Sequence, residues 1–301
     1  MINAEESFNL EPNKENKKYL LFGSKGWIGG MIVKLLKENG CMFKESVNRL
    51  EDRNLIESEI IEFGATNVLC SAGKTGVPTV DWCESNRVCT IRSNIIGTLN
   101  LADVCDSLGV HCTIYGTGCI YSYNDSKDKF KEEDEYNFKE SFYSYTKGFV
   151  DDMLKNYSNV LTLRIRMPIS GDHNVKNFLS KITKYKSIHS LNNSMTVLFD
   201  LVPVSLVMAT RGHTGIFNFC NPNTISHDEC LTMHRDIIDN KFVWDNIDKG
   251  DLLKFGLIKV GRSNNELCCL KLINSVPDIY IPTIKDSVKE ATIRRSRCST
   301  I

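Results

Sequence analysis

The stretch KYLLFGSKGWIGG, residues 18–30, constrains the fold most. An apolar run meets a glycine turn, and apolar residues then recur at Trp27, Ile28, Met31, Ile32, Leu35 and Leu36. That spacing is helical, and Gly40 follows as a cap. Gly23, Gly26 and Gly29 stand at GxxGxxG spacing between strand and helix, with Trp27 and Ile28 in the same turn. Glycines let the backbone turn tightly and approach a pyrophosphate, which the N–H groups of the helix N-terminus attract. The string alone is weak evidence. Its place, after a strand and before an amphipathic helix, points to dinucleotide binding.

The rest of the chain alternates in the same way. CMFKE (41–45), NVLC (67–70), HCTIYG (111–116), NVLTLRIR (159–166) and TGIFNFCNP (214–222) read as strands. Val88, Ile91, Ile95, Leu99, Ala102 and Cys105 mark one face of a long helix. The expected fold is α/β: a Rossmann-like, doubly wound parallel sheet with a smaller C-terminal substrate-binding lobe. The expected divisions are a flexible leader at 1–17, a nucleotide-binding domain at 18–170 with a later strand near 214–220, a lobe from 171–213 and 221–290, and a flexible basic tail at 291–301. After the third strand, Ser71, Ala72 and Gly73 would flank the cofactor.

Bulk properties exclude some classes. Lys plus Arg and Asp plus Glu are 37 each, so no net positive charge draws the chain to nucleic acid. No apolar run reaches the roughly 20 residues of a membrane span, and the polar N-terminus lacks the apolar centre of a signal peptide. The 12 cysteines are scattered without a CxxC pair, which reads as reduced thiols in a cytoplasmic protein without a metal site. Lys44, Arg49 and Arg53 near the end of the second strand favour NADPH, while Glu45 leaves NADH open.

Tyr143 and Lys147 in SFYSYTKGFV lie one helical turn apart. An ammonium beside a phenol would lower its pKa and suit it to acid–base work. Alone, this pair is as readily a surface feature. With the glycine turn and the strand-end hydroxyl of Thr117, it resembles the extended short-chain dehydrogenase/reductase superfamily. That resemblance implies Tyr143 as proton donor, Lys147 on the nicotinamide ribose, Thr117 on the substrate carbonyl, and Asn94 as a support of the site.

Longer strings narrow the likeness: PTVDWCES (78–85), IRSNIIGTLNLADVC (91–105), TGCIY (117–121), FKEEDEYNFKESFYSYTK (130–147), TLRIRMPIS (162–170), NFLSKI (177–182), NSMTVL (193–198) and GRSNNE (261–266). From about Lys18 to about Ser287 the chain resembles the plant bifunctional nucleotide-sugar 3,5-epimerase/4-keto-reductases, relatives of the dTDP-4-keto-rhamnose reductases. The resemblance implies conversion of UDP-4-keto-6-deoxy-D-glucose to UDP-L-rhamnose. It implies Cys119 and Lys181 as the acid–base pair of epimerisation, Arg262 on the substrate diphosphate, and Asn177 and Met195 lining the sugar-nucleotide pocket. A plain reductase needs no thiol at position 119, whereas inverting a carbon beside a ketone needs a base on one ring face and an acid on the other. Val77 departs from the arginine expected there. A dTDP-sugar substrate and a non-catalytic NADP-binding regulatory subunit are the competing readings. A homodimer through the faces around Ile91–Cys105 and Phe149–Leu154 is allowed, although burial within one chain accounts for them equally.

Overall fold

The computed structural model describes residues 16–76, 79–123, 129–256 and 258–298. Val77 and most of the expected leader lie outside the described residues. The N-terminal half runs β1 (Lys18–Phe22), α1 (Trp27–Glu38), β2 (Met42–Glu45), α2 (Arg53–Phe63), β3 (Asn67–Cys70), α3 (Trp82–Ser85), α4 (Arg87–Ile91), a π-helical turn (Arg92–Ile96), α5 (Gly97–Ser107), β4 (His111–Thr117), β5 (Lys129–Phe130), α6 (Phe142–Leu154) and β6 (Val160–Ile165). There follow β7 (Pro168–Ile169), α7 (Phe178–Ile182), β8 (Ser187–Ile188), β9 (Thr196–Val197), α8 (Leu198–Thr210), β10 (Gly215–Asn218), α9 (His227–Ile237), β11 (Asp245–Asn246), α10 (Lys249–Lys254), β12 (Glu266–Leu267), α11 (Leu270–Ser275) and α12 (Ile284–Cys298).

Six strands form a parallel sheet in the order β10-β6-β4-β3-β1-β2. Side chains alternate across a strand, so β1 sends Tyr19 and Leu21 to one core and Leu20 and Phe22 to the other. Both faces are covered, which is why KYLLF is apolar without a break. The chain leaves β1 toward β2 on one side and toward β3 on the other. A crevice opens at the carboxyl ends of the strands at such a switch point.

Two boundaries differ from expectation. α8 belongs with the sheet: all its residues but Phe199 are buried, and Leu201, Val204 and Met208 join Tyr19 and Leu21 in one core. A helix apolar all round must be covered all round. Residues 291–298 are not a frayed tail but the last turns of α12. Ala291, Thr292 and Arg295 are buried there, and Arg295 donates to Ser180 Oγ at 2.9 Å. Its arginines gave a polar reading, but Ile284, Val288 and Ala291 on one face of the helix share a core with Ile169, Leu179 and Val197.

Arg164, at 1% exposure, forms an ion pair of 2.6 Å with Asp151 of α6 and so ties that helix to β6. Asp151→Ala would strand a buried guanidinium. The expected cost is about 3–5 kcal/mol, read from equilibrium denaturant unfolding.

Candidate active site

The glycine turn is built for close approach. Gly23 has φ +85°, and a Cβ there would lie 2.6 Å from the Ala72 nitrogen. A Cβ on Gly29 would lie 2.1 Å from the Gly23 carbonyl oxygen. Gly26 caps α1, whose first turn carries no acidic side chain. Ser71 Oγ donates to the Gly23 carbonyl at 3.2 Å, joining the ends of β1 and β3. This cradle fits a dinucleotide pyrophosphate, with Trp27 and Ile28 in the first turn of α1 and Ala72 and Gly73 opposite. Gly29→Ala should weaken cofactor binding more than tenfold by titration, since about 1.4 kcal/mol suffices.

Asn94 is buried within the π-helical turn. Its amide accepts from the Lys74 backbone N–H and donates to the Lys74 carbonyl, each at 2.8 Å. It thereby pins the loop after β3 at the mouth of the site. The extra residue of a π turn re-aims the helix face, and Val88, expected on the buried face, is 63% exposed. Ala102 and Cys105 are buried within the chain, as are Val150 and Leu154 of α6.

Arg49 is exposed and paired with Glu51. Lys44 pairs with Glu59 and Arg53 with Asp103. The three cations expected to favour NADPH thus each face a carboxylate, and Arg49 is the most exposed of the three.

Two of the candidate groups lie at the carboxyl end of β4. Thr117 ends the strand and Cys119 lies in the turn after it, its backbone N–H donating to Thr117 Oγ1 at 3.2 Å. Ser141 caps α6, and Glu84 of α3 accepts from the Phe142 N–H at 2.6 Å. That fixes the first turn, where buried Tyr143 lies beside Thr117. Burial pushes the Tyr143 phenol well above its ordinary value; Cys119 adds to the rise and Thr117 opposes it. This reverses the expected lowering by Lys147. Desolvation disfavours the phenolate, and the Lys147 ammonium is itself pushed down by burial, with Cys70 and Asp151 opposing.

Lys181, half-buried on α7, has its pKa lowered by burial and by Lys176, while Cys119 acts to raise it. Cys119 is thus a secondary cause, after burial, of the shifts of both Tyr143 and Lys181.

Three expected substrate contacts stand differently. Asn177 is fully buried; its amide caps α7 through the Leu179 N–H and donates to the Ser170 and Asp172 carbonyls. It caps the short helix that carries Lys181, and both its amide hydrogens are engaged. Met195 is fully buried among Ile169, Leu179 and Val197, so it is core and not lining. Arg262 makes a bidentate pair with Asp81 at 2.9 and 2.8 Å. The Arg262 guanidinium holds the Asp81 carboxyl below its ordinary value. A diphosphate would have to replace that carboxylate.

Arg166 is the residue sequence reasoning missed. It is 2% exposed, and its guanidinium donates to Cys119 Sγ at 3.0 Å. The only signal was its place in TLRIRMPIS, at the end of a strand.

Comparisons agree with this geometry. Residues 19–186 match the NAD dependent epimerase/dehydratase family. The chain is 45% identical over 282 residues to the bifunctional dTDP-4-dehydrorhamnose 3,5-epimerase/dTDP-4-dehydrorhamnose reductase of Arabidopsis thaliana, covering 92% of this chain and 91% of that one. It is 43% identical over 300 residues to an Arabidopsis thaliana trifunctional UDP-glucose 4,6-dehydratase/UDP-4-keto-6-deoxy-D-glucose 3,5-epimerase/UDP-4-keto-L-rhamnose-reductase. There the match covers 98% of this chain but 44% of the relative, so the chain spans less than half of that protein. The crystal structure of the UDP-rhamnose synthase of Acanthamoeba polyphaga mimivirus superposes with a TM-score of 0.87 at 37% identity, over 92% of this chain and 99% of that one. With a glycine cradle at the switch point, a Tyr143/Lys147 helix beside it and these relatives, the chain belongs to the NAD dependent epimerase/dehydratase family.

Proposed function

We propose that this chain is a bifunctional 3,5-epimerase and NADPH-dependent 4-keto-reductase that converts UDP-4-keto-6-deoxy-D-glucose to UDP-L-rhamnose. One observation carries the reading: just past the end of β4 the Cys119 thiol stands beside the Thr117 hydroxyl, its N–H donating to Thr117 Oγ1 at 3.2 Å and its sulfur accepting from the Arg166 guanidinium at 3.0 Å. Among the described residues no group of three or more His, Cys, Asp or Glu could hold a metal ion, and no helix is long and apolar enough to cross a membrane.

The chemistry follows from the 4-ketone, which acidifies the hydrogens on its neighbouring carbons. Thr117 and Tyr143 donate to the carbonyl oxygen and stabilise the enolate. Cys119 removes a proton from one ring face and Lys181 supplies one to the other. A lowered ammonium pKa makes Lys181 the better donor. When bound, the nicotinamide supplies the hydride that reduces the ketone. Tyr143 then gives its proton to the oxygen. Both reactions use the same polarised carbonyl, so one site serves both. Gly23, Gly26, Gly29 and Lys147 would hold the cofactor, with Arg49 at the adenosine end favouring NADPH. Arg262 would exchange Asp81 for the diphosphate.

The test is mass spectrometry of products formed from UDP- and dTDP-4-keto-6-deoxyglucose in heavy water with NADPH. The reading expects a rhamnose product with deuterium at each carbon flanking the ketone. Reduction without ring deuterium would leave a reductase alone. NADPH binding with no turnover on either sugar would mark a non-catalytic binding subunit.

A further inference from the structure

A buried arginine without a carboxylate is unusual, because an unpaired interior charge is costly. Arg166 is such a residue. Its Nε donates to Asn265 Oδ1 at 3.2 Å, and Nη2 donates to Asn193 Oδ1 and the Ser263 carbonyl, both at 2.6 Å. All three acceptors are neutral. Among the described residues no carboxylate forms an ion pair with it. The remaining bond, from Nη1, ends on Cys119 Sγ at 3.0 Å.

The surroundings hold that contact rigidly. The next residue, Met167, has φ +36°, and Pro168 follows. A residue before proline normally sits in the extended region, so this backbone is strained, and such strain persists only where neighbours over-determine it. The Arg166 backbone N–H donates to Thr196 Oγ1 at 2.9 Å, and its carbonyl accepts from the Thr196 N–H at 2.7 Å. Asn265 also donates to the Gly118 and Tyr121 carbonyls, at 3.0 and 2.8 Å. One amide thus ties the guanidinium to the turn that bears Cys119.

We propose that Arg166 is the positioning residue for Cys119: it aims the sulfur and supplies the positive charge that balances the thiolate consumed in ring inversion. The proposal rests on the reading of Cys119 as the epimerisation base. A cation touching sulfur favours the anionic, reactive form. In the transfer, the thiolate takes a ring proton and becomes a thiol while the substrate becomes an enolate. Arg166 stays charged throughout and faces the enolate's negative charge after the thiolate's. The other titratable groups that feel the sulfur are Tyr143 from α6, Lys181 from α7 and Cys220 after β10.

The experiment follows iodoacetamide alkylation of the Cys119 peptide by mass spectrometry, from about pH 6 to about pH 10, in the full chain. In wild type, Cys119 should react at neutral pH about tenfold faster than in Arg166→Gln, and the two curves should converge at high pH. Arg166→Lys should restore most of the neutral-pH rate, since it keeps the charge. Asn193→Asp, which neutralises Arg166 without removing it, should resemble Arg166→Gln and decides the matter if that variant does not fold. Superimposable curves for wild type and either folded charge-neutral variant would overturn the proposal. So would a Lys variant as slow as Gln. Ring deuteration by Cys119→Ala separates the two failures: if exchange persists there, the base assignment is lost, whatever the alkylation curves show.

Discussion

Cys119→Ala should reduce deuterium entry into the sugar ring by about 10²–10⁴-fold, the usual worth of a positioned acid–base group. The effect is large because no other group of the cluster can replace the thiolate. Burial favours the protonated form of Tyr143, and in the proposed mechanism Lys181 is the donor. Binding of NADPH should stay within a few-fold of wild type, because the glycine cradle is formed by β1, β3 and α1. The removed atom is small and the residue only partly buried, so folding should survive. A substrate already inverted at both flanking carbons should still be reduced. Loss of that reduction as well would mean that the sulfur contributes to hydride transfer.

Tyr143→Phe should lower ketone reduction by a similar 10²–10⁴-fold while leaving the fold intact. The phenol sits against Thr117 at the end of β4, where it can both polarise the carbonyl and give up a proton. Burial raises its pKa, so the protonated form persists beyond the ordinary phenol range near pH 10. Tyr143 should therefore impose no alkaline fall on reduction at lower pH. Lys181 has the opposite sign. Its pKa is lowered, so its donor proton is lost before the ordinary lysine value of about 10.4. Epimerisation should decline on the alkaline side where the Tyr143 phenol still keeps its proton. Measuring ring deuteration and NADPH oxidation across the same pH series checks both. Coincident alkaline limbs assigned to Tyr143 would contradict its buried, raised state.

Those expectations differ in how much of them local sequence could reveal. The strand, glycine turn and helix of residues 18–38 follow from local sequence: an unbroken apolar run, then glycines, including Gly29 where a Cβ would strike the Gly23 carbonyl. Tyr143 and Lys147 share a helix, so their spacing alone places them on one face. Asn177 and Met195 show the other case. Both stand in strings on which the family resemblance rests, yet one is consumed in a helix cap and the other in packing. Sequence likeness shows that a residue matters without showing whether it touches the ligand or holds what does.

By itself, the chain's order of residues determined the alternating architecture, the nucleotide cradle and the strand-end pairing of hydroxyl and thiol. These depend on periodicities of two and 3.6 residues and on the conformational freedom of glycine, all local properties. Tertiary structure alone decided that Arg166 meets Cys119, that Asn265 ties both together, and that Arg262 is held by Asp81. It also decided that burial, rather than Lys147, dominates the phenol of Tyr143. Desolvation and ion pairing depend on what surrounds a charge in space, and those partners come from distant parts of the chain, where no local pattern records them.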